Sequence, residues 1–338
     1  MQTATLHQFV ERDTGRVRTE RLFGDRLVRL LYHNARENAP ILFRLLTSAW
    51  TSEVLAFVNY DLPFGNLLSR RDDFLRQCGI DLSECVDGPS ALDTPRKAFE
   101  RKIRYWQCRP MPDDPSAVVS PADARVAIGS LRETSLFFVK EKFFSFDELF
   151  GADCPEWQRA FTDGDFAVFR LTPDKYHYNH FPVSGTVIDY YELDGSYHSC
   201  NPDAVISVAS PFSKNRRAIT IIDTDVAGGT GIGLVAMIEV VALMIGDIVQ
   251  CYSREKYDSP AGIKPGMFVE KGQPKSLYRP GSSTDILVFQ AGRIHFAEDL
   301  IRNSLRSDVS SRFSLAFGRP LVETELNVRS IIAQGVRV

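Results

Sequence analysis

The chain reads as an α+β protein, with an N-terminal helical region over residues 1–115 packed on a mainly antiparallel, β-rich domain over residues 116–338. Three observations predict this. Apolar residues in the first third recur at helical spacing. Those in the remainder come in short runs broken by Gly, Pro and Asp. Between the two lies a proline-rich joint, Pro110-Met111-Pro112-Asp113-Asp114-Pro115. A length of 338 residues with 44% apolar and 25% charged composition suffices to bury a large core in one or two domains.

In order along the chain, helices are expected around Asp25 to Ala35, from Asn38 to Val58 and around Ser90 to Trp106. The second is the clearest: Asn38 offers a cap, Pro40 falls in the first turn, and Leu42, Leu45, Leu46, Trp50, Val54, Phe57 and Val58 line one face before Asp61-Leu62-Pro63 closes it. Strands are expected at Ala117–Val119, Phe166–Leu171, Ile219–Ile222, Leu234–Ile238 and Ile286–Phe289. No regular helical pattern separates them, which argues against a doubly wound parallel sheet. Gly228-Gly229-Thr230-Gly231-Ile232-Gly233 lacks the Lys-Ser/Thr ending of a phosphate loop and is followed by a strand-like run, so it reads as a hairpin turn.

Composition removes several functional classes. A net charge of −3 and a pI near 6.1 provide no basic field, so no nucleic-acid partner is expected. The first twenty residues carry acids and no apolar leader segment, so cytoplasmic residence is expected. Glu239 and Asp247 interrupt the longest apolar run, Leu234 to Val249, and it falls short of the ~20 residues a spanning helix needs. The six cysteines lie far apart with no C-x-x-C pair and read as free thiols. His177 and His180 have no third ligand motif beside them, so no metal is expected; His7, His33, His198 and His295 read as structural or solvated.

Two segments carry chemistry only when taken together. Arg279-Pro280-Gly281-Ser282-Ser283-Thr284 runs straight into an apolar strand, and Tyr176-His177-Tyr178-Asn179-His180-Phe181-Pro182 lies about a hundred residues upstream. A serine after a flexible glycine carbonyl, with a histidine to serve as base, is what a chain needs to cut itself. Counting forward from Lys271-Gly272 selects Ser282 as that serine, and counting back from the strand selects Ser283. Ser282 is preferred because it alone follows glycine.

Several motifs in one order resemble the phosphatidylserine decarboxylase family across roughly Val118 to Val288. Val119-Ser120-Pro121-Ala122-Asp123 is similar to its Pro-Ala-Asp segment, although Ala124 stands where glycine is often found. Phe144 to Gly151 is similar to the short helix that follows. Tyr176 to Pro182 resembles its paired-histidine motif, Leu234 to Gly246 its central strands, and Lys271-Gly272 through Thr284 its self-cleavage segment.

The resemblance implies a proenzyme cut between Gly281 and Ser282, with Ser282 as nucleophile, His180 as base and Asp123 orienting that histidine. His177 then acts on the substrate. It also implies a pyruvoyl group made from Ser282, which takes an amine substrate and draws electrons as carbon dioxide leaves. Fragments 1–281 and 282–338 are expected to stay paired without a covalent link. The implied substrate is phosphatidylserine, giving phosphatidylethanolamine; the alternative within the same chemistry is a free aromatic amino acid such as tryptophan.

Peripheral contact with the inner face of a membrane and a homodimer both stay open. The Pro40–Val58 helix has an apolar Leu/Trp/Phe face but only Arg44 as a basic residue, which favours packing on the core. Two rivals come from other classes. A noncatalytic lipoyl-like binding module would need an attachment lysine tip, which is missing, and a metallopeptidase would need a different ligand spacing.

Overall fold

The computed structural model describes residues 6–20, 75, 79–132, 145–196, 201–202, 205, 211–241, 247–281 and 283–336. The helices expected at 25–35 and 38–58 lie outside these residues, as do Ser282, His33 and His198.

A ten-stranded sheet forms the centre of the molecule. Its middle strands are β5 (Asp165–Leu171), β13 (Ser283–Phe289), β9 (Leu234–Val241) and β8 (Arg217–Asp223). β13 is antiparallel to β5 on one side and to β9 on the other. Alternation in these strands sorts side chains between two cores. Leu287, Phe289, Met237, Phe169 and Leu171 enter one cluster, while Ile286, Val288, Ile238, Ala236 and Val168 enter the other. Both faces of the sheet are covered, which is why these strands appear in the sequence as continuous apolar runs.

Beyond β8 lie β7 (Gly185–Leu193) and β11 (Phe268–Val269); beyond β5 lie β4 (Ala124–Ser130) and β15 (Thr324–Leu326). Two three-stranded sheets complete the β structure. One joins β10 (Ile248–Gln250), β12 (Pro274–Tyr278) and β6 (Tyr178–His180), and the other joins β14 (Ile294–Phe296), β16 (Ile331–Gly335) and β3 (Ala117–Val119). The glycine cluster between β8 and β9 is a turn, with Gly228, Gly231 and Gly233 at φ 78°, 77° and 75°, values that suit glycine. All the strands expected from the sequence are present.

The N-terminal region departs from the expected helical layer in two places. The stretch from Ser90 to Trp106 is broken rather than continuous. Thr94 caps a short helix, Pro95–Phe99, by accepting the Lys97 N–H; the chain then extends to bridge Ile103 to Cys85 before a second turn at Tyr105–Cys108. The bridge spends backbone groups that a continuous helix would have used internally.

The other departure is at the start of the chain, where β1 (Gln8–Glu11) and β2 (Val17–Thr19) form a hairpin, and β1 runs parallel to β15 at the sheet edge. A buried ion cluster fastens it. Arg170 meets Glu20 at 2.7 Å and Glu323 at 2.6 Å, His7 Nε2 lies 2.9 Å from Glu323, and Arg125 meets Glu20 at 2.7 Å. Burial opposes ionisation of Glu323, but the Arg170 guanidinium and His7 outweigh it and bring that carboxyl down to about 2. His7 is therefore a structural residue. The four described cysteines, Cys85, Cys108, Cys154 and Cys251, are free thiols.

Candidate active site

Strands β6 and β12 bring the paired histidines to the segment expected to be cut. The register sets His180 opposite Pro274, Asn179 opposite Ser276 and Tyr178 opposite Leu277. At the end of β12 the Tyr278 N–H donates to the His177 carbonyl at 3.0 Å. His177 is thus joined to the residue that begins the connection to β13, and His180 sits at the other end of β12. Between Tyr278 and Ser283 run Arg279, Pro280, Gly281 and Ser282. Gly281 is buried at φ 155°, a backbone region that side chains other than glycine's rarely permit. Ser283 opens β13 with its Oγ buried and without a hydrogen-bond partner.

His180 is fully buried, with Nδ1 at 2.8 Å from the Gly272 carbonyl and Nε2 at 3.0 Å from the Tyr176 hydroxyl. A carbonyl can only accept, so Nδ1 carries the proton and Nε2 presents its lone pair. Burial lowers its pKa to about 3, against the Gly272 hydrogen bond and the Asp123 charge, which favour the proton. The result is a neutral imidazole with its basic nitrogen held by a tyrosine. Tyr105 packs edge-on to the ring at 4.7 Å. The Arg329 guanidinium shares the Gly272 carbonyl at 2.9 Å.

Asp123 is close by, since the His180 N–H donates to the Pro121 carbonyl at 2.7 Å. Its carboxylate, however, is gripped by Arg109 at 2.8 and 3.1 Å and accepts the Val328 N–H at 2.8 Å. Asp123 acts on His180 through its charge, while Gly272 orients the ring.

His177 is also fully buried. Neither ring nitrogen has a hydrogen-bond partner at normal geometry, and the ring stacks on Phe99 with centroids 3.5 Å apart. Burial and the nearby Arg101 charge lower its pKa to about 3, with Asp174 opposing. Both histidines are therefore neutral in the folded chain at pH values where the unfolded chain, with a value near 6.5, is protonated. Their stabilisation is complete above pH 6.5 and is lost as the pH falls toward 3, by about 1.4 kcal/mol per pH unit for each. Denaturant unfolding at pH 6.5 and 4.5 checks this. A His177→Gln variant should lose less stability than the parent across that interval, by roughly 2–3 kcal/mol; equal losses would show that His177 takes up its proton in the fold.

Comparison with known proteins gives this arrangement a context. The family model for phosphatidylserine decarboxylase matches residues 96–314. The phosphatidylserine decarboxylase proenzyme of Alkalilimnicola ehrlichii is 33% identical over 229 residues, 67% of this chain and 76% of the relative. The proenzyme of Bordetella petrii is 31% identical over 238 residues, 67% of this chain and 79% of that one. The proenzyme of Fusobacterium nucleatum is 28% identical over 307 residues, covering 88% of this chain and 92% of the relative.

The chain belongs to the phosphatidylserine decarboxylase family. It is accordingly a carboxy-lyase. The family match takes in Asp123, both histidines and the whole of Arg279 to Thr284, and it starts within the broken helical segment that carries Phe99. Among the described residues no helix is long and apolar enough to cross a membrane.

Several residues around the paired histidines are given no role by the sequence reading. Glu239, which interrupts the apolar run of β9, is fully buried and receives Lys275 Nζ at 2.5 Å, Gln250 Nε2 at 2.9 Å, Asn179 Nδ2 at 3.2 Å and the Ser276 hydroxyl. An acid inside a buried strand calls for such partners, so the interruption was itself a usable hint. Tyr278 reaches the His177 carbonyl, and Arg329 the Gly272 carbonyl, only through long-range folding. Arg329 also holds φ 71°, which few side chains other than glycine's adopt.

Proposed function

We propose that this chain is a phosphatidylserine decarboxylase proenzyme that cuts itself between Gly281 and Ser282 and bears a pyruvoyl group made from Ser282. The observation that carries this reading is the position of the connection Arg279–Ser282. It links β12, which pairs with the strand bearing His180 and bonds to the His177 carbonyl, to β13, a middle strand of the ten-stranded sheet.

In the cut, the Ser282 hydroxyl attacks the Gly281 carbonyl, the amide nitrogen leaves, and an ester replaces the peptide bond. Loss of the Cα proton then expels the Gly281 carboxylate. Hydrolysis of the remaining dehydroalanine releases ammonia and leaves the pyruvoyl group. His180, neutral with its lone pair on Nε2, takes the serine proton in this reading. Asp123 supplies a negative charge near the imidazolium that forms. Once in place, the pyruvoyl group supplies an electron sink for the bond to carbon dioxide.

The surroundings fit such a group: the segment lies between buried strands, and His177, with two orphaned ring nitrogens, is one hydrogen bond from Tyr278. His177 returns a proton to the substrate carbon. Phe99 covers its ring and must yield for substrate to reach it. The fragments remain paired because β13 is held between β9 and β5 with all its residues buried. Peripheral contact with a lipid surface would deliver the substrate.

Ser283 gives a second reading of the cut, favoured by its buried and unpartnered Oγ. The fragment junction separates the two. Function is tested by incubating purified protein with phosphatidylserine vesicles and with free tryptophan while measuring carbon dioxide. Release from the vesicles alone supports the proposal, release from tryptophan alone replaces the substrate, and silence with both overturns it. In parallel, His180→Ala should slow the cut about 10²-fold or more, as expected on removal of a general base, followed as the proportion of uncut chain over time.

A further inference from the structure

The connection that contains the proposed scissile bond is tied at both ends by one residue. Tyr278, the last residue of β12, is fully buried. Its N–H donates to the His177 carbonyl at 3.0 Å. Its hydroxyl lies 3.0 Å from the Thr284 carbonyl and 2.8 Å from Asp285 Oδ1, both on β13 beyond the cut. A single tyrosine thus links the histidine assigned to substrate, the start of the connection and the strand that follows it.

The phenol hydrogen can serve either of the two oxygens it meets. The phenol has one hydrogen, and the Thr284 carbonyl can only accept. If the hydroxyl donates to Thr284, the short contact with Asp285 requires the carboxyl to be the donor. Asp285 then carries a proton. Its surroundings agree. On β9 it faces Glu239, on β5 it faces Phe169, and the nearby cation, Lys275 on β12, is bonded to Glu239. Burial and the Glu239 charge push the Asp285 carboxyl well above its usual range. Oδ2 has no hydrogen-bond partner, which a neutral carboxyl tolerates far better than a carboxylate.

We propose that Tyr278 and Asp285 form a positioning clamp, which holds the two sides of the Gly281–Ser282 bond in place before the cut and holds the new N-terminus on the His177 side afterwards. This rests on the self-cleavage reading above. Tyr278 and Asp285 are assigned a positioning role. They act by fixing Thr284, two residues beyond Ser282, relative to the end of β12.

The test follows self-cleavage of freshly made full-length chain by denaturing mass spectrometry, with circular dichroism to verify folding. Tyr278→Phe keeps the ring and removes only the hydroxyl, and should lengthen the half-time at least tenfold with an unchanged spectrum. Asp285→Leu should slow it similarly, and the double variant should be no slower than either single one. Asp285→Asn can still donate an N–H to the tyrosine oxygen, so it should cut within about threefold of the parent rate, a rescue that general loosening of the core would not give. In the fraction that is cut, Tyr278→Phe should lower kcat and leave KM unchanged. Parental rates in Tyr278→Phe and Asp285→Leu would overturn the clamp, as would an Asp285→Asn variant as slow as Asp285→Leu. A parent chain that never cuts defeats the underlying reading instead.

Discussion

Replacing Ser282 by alanine leaves a single uncut chain with no decarboxylase activity. The expectation is an all-or-none effect, because in the proposed cut the hydroxyl oxygen enters the new bond and the serine carbons become the pyruvoyl group, neither of which alanine can supply. Intact mass spectrometry checks it, alongside carbon dioxide release from phosphatidylserine vesicles. The neighbouring serine makes the outcome informative. Ser283 sits in register with Leu171 and Val241 at the start of β13, with an unpartnered hydroxyl. A Ser282→Ala chain that still divides, now between residues 282 and 283, would transfer the precursor role to Ser283. Division without either serine would end the self-cleavage account.

His177→Ala should divide normally yet turn over substrate about 10²–10⁴ times more slowly, the usual cost of losing a general acid. The geometry separates the two histidines for this purpose. His177 contributes its carbonyl to the Tyr278 N–H at the start of the β12–β13 connection, and its ring nitrogens lack hydrogen-bond partners beneath Phe99. The His180 ring is already engaged at both nitrogens, by Gly272 and Tyr176. Single-turnover kinetics on the divided His177→Ala protein would place the defect in the chemical step if kcat falls while KM holds. An uncut His177→Ala chain would show that the two roles are exchanged.

What was legible in the sequence follows the physics of local periodicity. β5, β8, β9 and β13 could be read because they are buried on both faces and appear as apolar runs. The turn at Gly228–Gly233 could be read because positive φ calls for glycine. The paired-histidine and glycine-serine segments were visible as motifs, and the fold places the first beside the strand leading into the second. The pairing of β1 with β15 was not legible. Each is very short and carries polar residues, and the contact spans nearly the whole chain. The break between Phe99 and Tyr105 was hidden for a similar reason, since the helical spacing of apolar residues continues through it while the backbone on either side of Ile103 bonds to that on either side of Cys85.

At the site, sequence order could nominate Asp123 but not its partners. Arg109 is near in the chain and Val328 is far, and the carboxylate meets both. In the sequence Glu239 stands out only as a flaw in an apolar run. Its network of Asn179, Gln250, Lys275 and Ser276 exists because strands from two sheets converge there.

The account stands or falls on the covalent state of the chain, and the intact mass of freshly purified protein under denaturing conditions reads it directly. The expected result is two species, residues 1–281 and residues 282–338, the second lighter by one ammonia than its sequence requires, from a sample that elutes as one complex under native conditions. A single unmodified chain of 338 residues, persisting in protein that is folded, would contradict it.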